Sequence, residues 1–334
     1  MQWPEQKFVT RTIELNAPQN GDTSDYQYIA YGTDGNFMMG CAVSIASVMQ
    51  QNPQGKFVFN IFTNAVSEDY QQKFLALAKE FNSIVIIHLL NAESLSHLPT
   101  NKLWSSAIYY RFLIADFFAG LVNKVLYLDS DIVCNNDISS LWDIDLTDKL
   151  CAAAPERTKD WWTSRADTLH CPVLKDGYFN SGVMLIEVQN WAANSITQKA
   201  MAALAEPEIV ARLTYYDQDI LNLICAGEVY FLEQKYNEQY SINYELQGRH
   251  KNPINSASVF IHYIGPTKPW HRWVSYPCCN YFLKAKNNSP WGDDDLLAPS
   301  NPSQWRYAAK HFYKQGHYLQ VLQSYIRYFL LKIL

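Results

Sequence analysis

A chain of 334 residues is long enough for one large domain or two. It is 48% hydrophobic, 14% aromatic and 18% charged, which excludes a disordered polymer, because such chains lack the apolar mass to offset ordering entropy. A net charge of −5 provides no global drive toward nucleic acid, and seven cysteines without a CxxC pair fit neither a disulfide framework nor a zinc ribbon. The thiols read as buried groups in a reducing compartment. The first residues hold no apolar signal region, and no run reaches about 18 apolar residues. The expectation is a cytoplasmic protein without a spanning helix.

Residues 1–25 are polar and read as an irregular extension. Residues 26–31 (YQYIAY) predict a strand and 38–50 a helix. Residues 57–63 (FVFNIFT) predict a strand, and 68–82 a helix capped by Ser67. Strand 84–90, helix 105–118 and strand 125–128 follow. This βαβαβαβ order predicts a mostly parallel sheet with helices on both faces and ligands beyond the carboxyl ends of its strands. Further on, 182–186 and 259–263 read as strands and 217–225 as a helix.

From 305 to 334 the basic residues Arg306, Lys310, Lys314, Arg327 and Lys332 stand without any Asp or Glu, interleaved with five Tyr and one Trp. Leu319, Leu322, Ile326, Phe329 and Ile333 recur at helical spacing. A basic, aromatic amphipathic helix suits an anionic membrane surface. The alternative is a helix docked on its own core.

The stretch VLYLDSDIV carries the sharpest chemistry. Spacing of two puts Asp129 and Asp131 on one side of an extended chain. Two converging carboxylates repel unless a cation or proton joins them, and oxygen ligands favour Mg²⁺ or Mn²⁺. The plainer alternative is a pair of turn acids after a strand. The string also fits the strand–DxDx[TV] pattern of haloacid-dehalogenase-like phosphatases. Their later acidic motif follows a hydrophobic strand, whereas the acids at 293–295 here follow Asn-Asn-Ser-Pro.

Six segments together resemble the retaining glycosyltransferases of family eight, in particular the bacterial lipopolysaccharide core α-glucosyl- and α-galactosyltransferases. They are AYGTDGNF (30–37), WSSAIYYR (104–111), LYLDSDIV (126–133), YFNSGV (178–183), YYDQDILN (215–222) and HYIGPTKPWH (262–271). The resemblance implies an α/β fold of GT-A (Rossmann-like) type, a mixed sheet flanked by helices, to which the basic, aromatic tail adds a C-terminal helical membrane-associating extension. It divides the chain into an extension (1–25), a catalytic domain (26–275) and a basic-aromatic helical extension (276–334). It implies a UDP-hexose donor, a lipopolysaccharide core acceptor, Mn²⁺ or Mg²⁺, and no nucleic-acid partner. The enzyme is expected to lie peripherally on the inner face of the bacterial inner membrane. A protein or capsular acceptor, or a binding module without activity, are the competing readings.

By this resemblance Gly32, Thr33, Asp34, Gly35, Asn36 and Phe37 line the uridine. Asp34 would accept the uracil N3–H, and the two glycines would let the backbone approach the ligand; an Asp-Gly-Asn turn is the ordinary alternative. Asp129, Asp131 and His262 form the metal site, with Asp129 and Ser130 also bordering the donor. Gly265 and Lys268 meet the diphosphate, although a Gly-Pro turn with a solvated lysine is the bland version. Asn180 is assigned to sugar or ribose hydroxyls. Arg111 is assigned to the donor sugar or pyrophosphate, a salt bridge with Asp116 or a neighbour being the alternative. Asp217 is placed on sugar hydroxyls and Gln218 near the β-face of C1. Asp217 and Asp219 also complement the dipole of the helix they open. The loop 156–177, with Trp161, Trp162 and Arg165, reads as a lid. Trp270 and Trp273 are candidates for an acceptor groove.

Overall fold

The computed structural model describes residues 8–17, 22–91, 98, 106–248 and 250–333. The segment expected to be irregular carries strand β1 (Val9–Leu15). It lies on a sheet edge with Ile13 and Leu15 half-buried and Thr10, Thr12 and Glu14 exposed. One apolar side chain in two reads as polar sequence, which is why composition hid it. Then come β2 (Gln27–Thr33), α1 (Met38–Gln51), β3 (Phe57–Thr63), α2 (Glu68–Glu80) and β4 (Ile84–Leu90). The Ser67 cap is present: its side chain accepts from the Tyr70 N–H. The predicted helix 105–118 begins outside the described residues and otherwise divides into a 3₁₀ turn (Ser106–Tyr109) and α3 (Tyr110–Phe117). Strands β5 (Lys124–Leu128), β6 (Ile132–Cys134) and β7 (Cys151–Pro155) follow.

The second half holds α4 (Lys159–Leu169), β8 (Phe179–Glu187), α5 (Val188–Ala193), α6 (Ile196–Leu204), α7 (Pro207–Val210) and α8 (Tyr216–Ile224). After them lie β9 (Val229–Phe231), β10 (Glu238–Gln239), α9 (Tyr244–Gln247) and β11 (Phe260–His262). The chain closes with α10 (Asn280–Asn287), α11 (Pro302–Lys314) and α12 (Tyr318–Ile333). The main sheet has the order β1-β4-β3-β2-β5-β8-β7-β9. Strands β4, β3, β2 and β5 are parallel, as the alternation predicts, while β1 and β8 run against their neighbours. Strand order reverses between β2 and β5, the point beyond whose carboxyl ends open α/β sheets bind their ligands. Thr33 ends β2 there, and Asp129 is the first residue after β5.

Each face of the sheet has its own core. Ile29, Tyr31, Phe57, Phe59 and Ile61 point to α1 and α2, whereas Ala30, Phe62 and Tyr127 point to α3, α6 and α8. Helix α1 is buried along nearly its whole length, as its uniformly small and apolar sequence dictates. Gly40 on α1 lies so close to Ser130 and Trp270 that a Cβ there would meet the Ser130 carbonyl at 2.4 Å. That contact presses the Asp129–Asp131 turn into place.

Three expectations are corrected here. The supposed lid 156–177 is mainly α4 and a 3₁₀ turn, with Trp161 packed edge-on against Tyr178 and Arg165 buried. Trp270 and Trp273 are core residues rather than groove walls, both about 1% exposed, because Phe37 and Phe282 pack around Trp270 and His271 stacks on Trp273. The tail is two helices rather than one, joined through Gly316, whose φ of +80° favours glycine. Helix α11 joins the core around Tyr263 and Trp273 through buried Ala308. Helix α12 packs on α11 and leaves Leu319, Leu322 and Phe329 exposed at 77%, 61% and 57%. No described helix is long and apolar enough to cross a membrane.

Candidate active site

Strand β5 ends at Leu128, and the chain turns at once: the Ile132 N–H returns to the Asp129 carbonyl at 3.2 Å. Asp129 and Asp131 therefore converge through a tight turn, not through the extended spacing expected from sequence. A second sheet, β10-β11-β6, supplies the third group. Its antiparallel register sets His262 opposite Ile132, and the Tyr263 N–H donates to the Asp131 carbonyl at 3.0 Å. His262 Nε2 then lies 3.2 Å from Asp131 Oδ1 and 3.9 Å from Asp129 Oδ2.

One ligand atom from each of Asp129, Asp131 and His262 lies within 4.8 Å of the others, and among the described residues no other group of three such side chains is so placed. Two carboxylates and an imidazole fit Mn²⁺ or Mg²⁺ by donor type. Gly182 of β8 keeps the space open. A Cβ there would meet His262 Cε1 at 2.4 Å and Asp129 Oδ2 at 2.8 Å. The YFNSG motif contained this glycine, but only the fold reveals its task.

Two cations balance the aspartates. Arg111 is buried and donates from Nη2 to Asp129 Oδ1 at 2.8 Å, with Nε 3.1 Å from Asp217 Oδ2. Its Nη1 donates to the Ser181 carbonyl and hydroxyl at 2.9 and 2.8 Å. Tyr127, given no role in the sequence reading, donates to Asp129 Oδ1 at 2.7 Å. Lys268 donates to Asp131 Oδ2 and to the Tyr263 carbonyl, the latter at 2.8 Å. Burial disfavours the Asp131 carboxylate, but Lys268 and His262 outweigh it and hold the group well below the usual range. Gly265, with φ of +86°, turns the loop that carries Lys268, and a Cβ there would sit 3.0 Å from Ser241 Oγ.

Asp217 and Gln218 lie in the first turn of α8, both buried. Gln218 Oε1 accepts from the Ser181 N–H at 3.2 Å. Burial raises Asp217 to about 6, against the pull of Arg111 and with a further push from Asp129. Asp219 does more than complement a dipole. It accepts from Tyr178 at 2.6 Å, from Arg165 at 2.7 Å, and from the N–H groups of Thr214 and Tyr215 at 2.7 and 2.8 Å. It thereby fastens the turn that presents Asp217 and Gln218.

Asn180 turns inward. Its Oδ1 accepts from the Gly182 N–H and from Asn237 Nδ2, and its Nδ2 donates to Glu156 at 2.7 Å. Asn237 Oδ1 in turn lies 3.0 Å from His262 Nδ1. Asn180 thus stands behind the imidazole, in a relay with Glu156 and Asn237 that no local sequence signal marks. A hydrogen bond to one ring nitrogen leaves the other free to face a cation.

At the end of β2, Asp34 Oδ1 accepts from the Asn36 N–H at 2.9 Å, the turn that its sequence allows. Thr33 is buried, and Ser130 is buried beneath Gly40. Gly32 is small for packing rather than for ligand approach, since a Cβ would meet Tyr110 Cβ at 2.9 Å. Gly35 has open space around it. The Phe37 ring lies 5.6 Å from Lys268 Nζ, joining this turn to the cation beside the Asp129–Asp131–His262 group. Trp104 and Ser105 of the second motif lie outside the described residues.

The profile of Glycosyl transferase family 8 matches residues 28–274, and that of Glycosyl transferase family 8 C-terminal matches 276–332. The chain is 44% identical to Lipopolysaccharide 1,3-galactosyltransferase of Salmonella typhimurium, over 99% of this chain and 98% of that one. It is 45% identical to Lipopolysaccharide glucosyltransferase WaaO of Escherichia coli over 91% of each. A crystal structure of galactosyltransferase LgtC in complex with donor and acceptor sugar analogs superimposes with a TM-score of 0.67, covering 84% of this chain and all of that one at 24% identity. The fold is thus the GT-A type expected, a mixed sheet flanked by helices.

Proposed function

Because the chain belongs to glycosyl transferase family 8, we propose that this glycosyltransferase moves a hexose from a UDP-sugar to the outer core of lipopolysaccharide. The anomeric configuration is retained, UDP-glucose is the favoured donor with UDP-galactose next, and the linkage is α-1,2 or α-1,3. The observation that carries this reading is the convergence of Asp129, Asp131 and His262 beside Lys268 at the reversal point of the sheet. The two relatives named act on lipopolysaccharide, and they divide between galactose and glucose.

A bound Mn²⁺ or Mg²⁺ supplies Lewis-acid stabilisation of the departing diphosphate. Asp129, Asp131 and His262 would hold it. Lys268 adds a cation where negative charge grows, a contribution larger in the transition state than in the ground state. Arg111 fixes Asp129 and Asp217 relative to each other, so the metal end and the sugar end of the site move together. Double displacement needs a carboxylate nucleophile beneath C1. Gln218 offers an amide oxygen, a poor nucleophile, and Asp217 is engaged by Arg111. We therefore favour front-face substitution, with Gln218 stabilising an oxocarbenium-like state and Asp217 accepting from a sugar hydroxyl.

Docking on the cytoplasmic face of the inner membrane completes the proposal. The exposed apolar residues of α12, with basic residues and no acids on the hairpin, support it. The test of function is turnover of UDP-glucose and UDP-galactose on defined truncated core acceptors, with Mn²⁺ and with chelator. Metal-dependent transfer from one donor is the result expected; absence of transfer from both would overturn the reading.

A further inference from the structure

The loop that carries Lys268, residues 264–273, has little regular structure of its own. Side chains hold it instead, and two of the ties come from the C-terminal hairpin. Thr267 Oγ1 donates to Asn243 Oδ1 at 2.7 Å, and the same oxygen lies 2.9 Å from His311 Nε2 on α11. Thr267 and His311 are fully buried. His311 Nδ1 is 2.9 Å from the Tyr276 hydroxyl, so both ring nitrogens are engaged. One turn later, Gln315 Nε2 donates to the Trp273 carbonyl at 3.0 Å. Trp273 stacks on His271, whose Nδ1 accepts from the Lys268 N–H at 3.1 Å. Two chains of contacts thus run from α11 and its C-terminal cap to the backbone on either side of Lys268.

We infer that His311 is a positioning residue for Lys268, and that the C-terminal hairpin is a working part of the diphosphate site as well as a candidate membrane contact. The physical argument is one of alternatives. A helix that only covered the core would bury an apolar side chain at 311, since a buried polar group is tolerated only with its partners made. The imidazole sits where its partners are the anchor of the Lys268 loop. Burial, with a smaller effect from Lys310, lowers its pKa to about 4, so the ring is neutral at physiological pH and Nε2 carries the hydrogen that Asn243 Oδ1 accepts. Without that tie Asn243 is free to rotate, Thr267 loses its acceptor, and Lys268 samples positions away from Asp131. The inference rests on the reading that Lys268 grips the diphosphate of a UDP-sugar.

Isothermal titration of the full chain with UDP and with uridine, both at saturating Mn²⁺, tests it. Lys268 faces phosphate and not the nucleoside, so His311→Ala is expected to weaken UDP about tenfold and leave uridine unchanged. His311→Gln keeps an N–H donor and recovers most of the loss. Thr267→Val gives a similar loss, and the double variant is no worse than either single one, because both act through Asn243. Gln315→Met, at the partly buried rim, gives a smaller loss of the same kind and carries the test if His311→Ala fails to fold. Unchanged UDP affinity in the folded variants would overturn the inference, as would an equal loss for UDP and uridine. A wild-type chain that binds no UDP would overturn the functional reading itself, which is a separate result.

Discussion

The Lys268 ammonium rests on the Asp131 carboxylate, one of the three converging groups proposed to hold a divalent cation. Lysine and metal therefore share an acid. Lys268→Met is expected to lower turnover by about 10²–10³, the usual effect of removing one electrostatic donor, while Mn²⁺ binding without nucleotide is preserved or tightened. Steady-state kinetics and metal titration on the same variant check both halves.

Gly182 supplies the space in which His262 and Asp129 meet. Gly182→Ala pushes a methyl group into the imidazole, and Mn²⁺ affinity in the presence of UDP is expected to fall about 10–100-fold, as for other changes behind metal ligands. Asp131→Ala removes metal stimulation altogether. Full activity in Asp131→Ala would mean that the metal site has been assigned to the wrong residues.

Asp217 has its pKa raised from 3.8 to about 6 by burial. Between those values the folded chain holds a proton that the unfolded chain has released. The stabilisation is therefore complete at low pH and is lost as pH rises through 6. Asp217→Asn is expected to melt higher than wild type at pH 7.5, with the gap closing toward pH 4, and to lose most turnover. In wild type, turnover falls on the acid side of about 6. Thermal melts and a pH–rate profile check these signs.

Three buried histidines act in the opposite sense. Burial lowers His88 and His311 to about 4 and His271 to about 3, with Lys268 adding to the effect at His271. Their stabilisation is present above 6.5 and is lost as pH falls through 4. Asp217 opposes with a single proton, so the melting temperature is expected to drop across this window. A flat melting temperature from pH 7 to 4.5 would contradict it.

The apolar face of α12 is the proposed membrane contact. Replacing Leu322 and Phe329 by Ser leaves the core untouched, since both are more than half exposed. Flotation with anionic vesicles is expected to fall at least about tenfold, with turnover of a soluble acceptor unchanged. Equal flotation of the two chains would remove the membrane from the account.

The sequence carried the parallel half of the sheet because there each strand and helix is a local pattern. Phe57–Thr63 is apolar on both faces, and Glu68–Glu80 opens on a capping serine. It also carried the acids and the histidine, through motifs. It did not carry β1, whose single buried face makes Ile13 and Leu15 look isolated among polar residues. Nor did it carry the relay behind His262. Asn237 belongs to an unremarkable stretch, and its significance comes only from the pairing of β10 with β11. The lid reading took 156–177 for a loop, whereas α4 and the buried Arg165 belong to the body of the fold. The groove reading failed because tryptophan suits both sugars and cores, and Trp270 and Trp273 serve the core.

Strand β11 brings His262 to the aspartates by pairing with β6, far earlier in the chain. Contacts so distant in sequence form late. While the ribosome is still making the second half, the nascent protein can have its parallel strands in place but not the imidazole that joins the two aspartates. On the proposed function, a copy that stops before β11 lacks His262, and one that stops before α11 lacks the tie to the Lys268 loop, so metal-dependent transfer is expected only from a chain that has passed both.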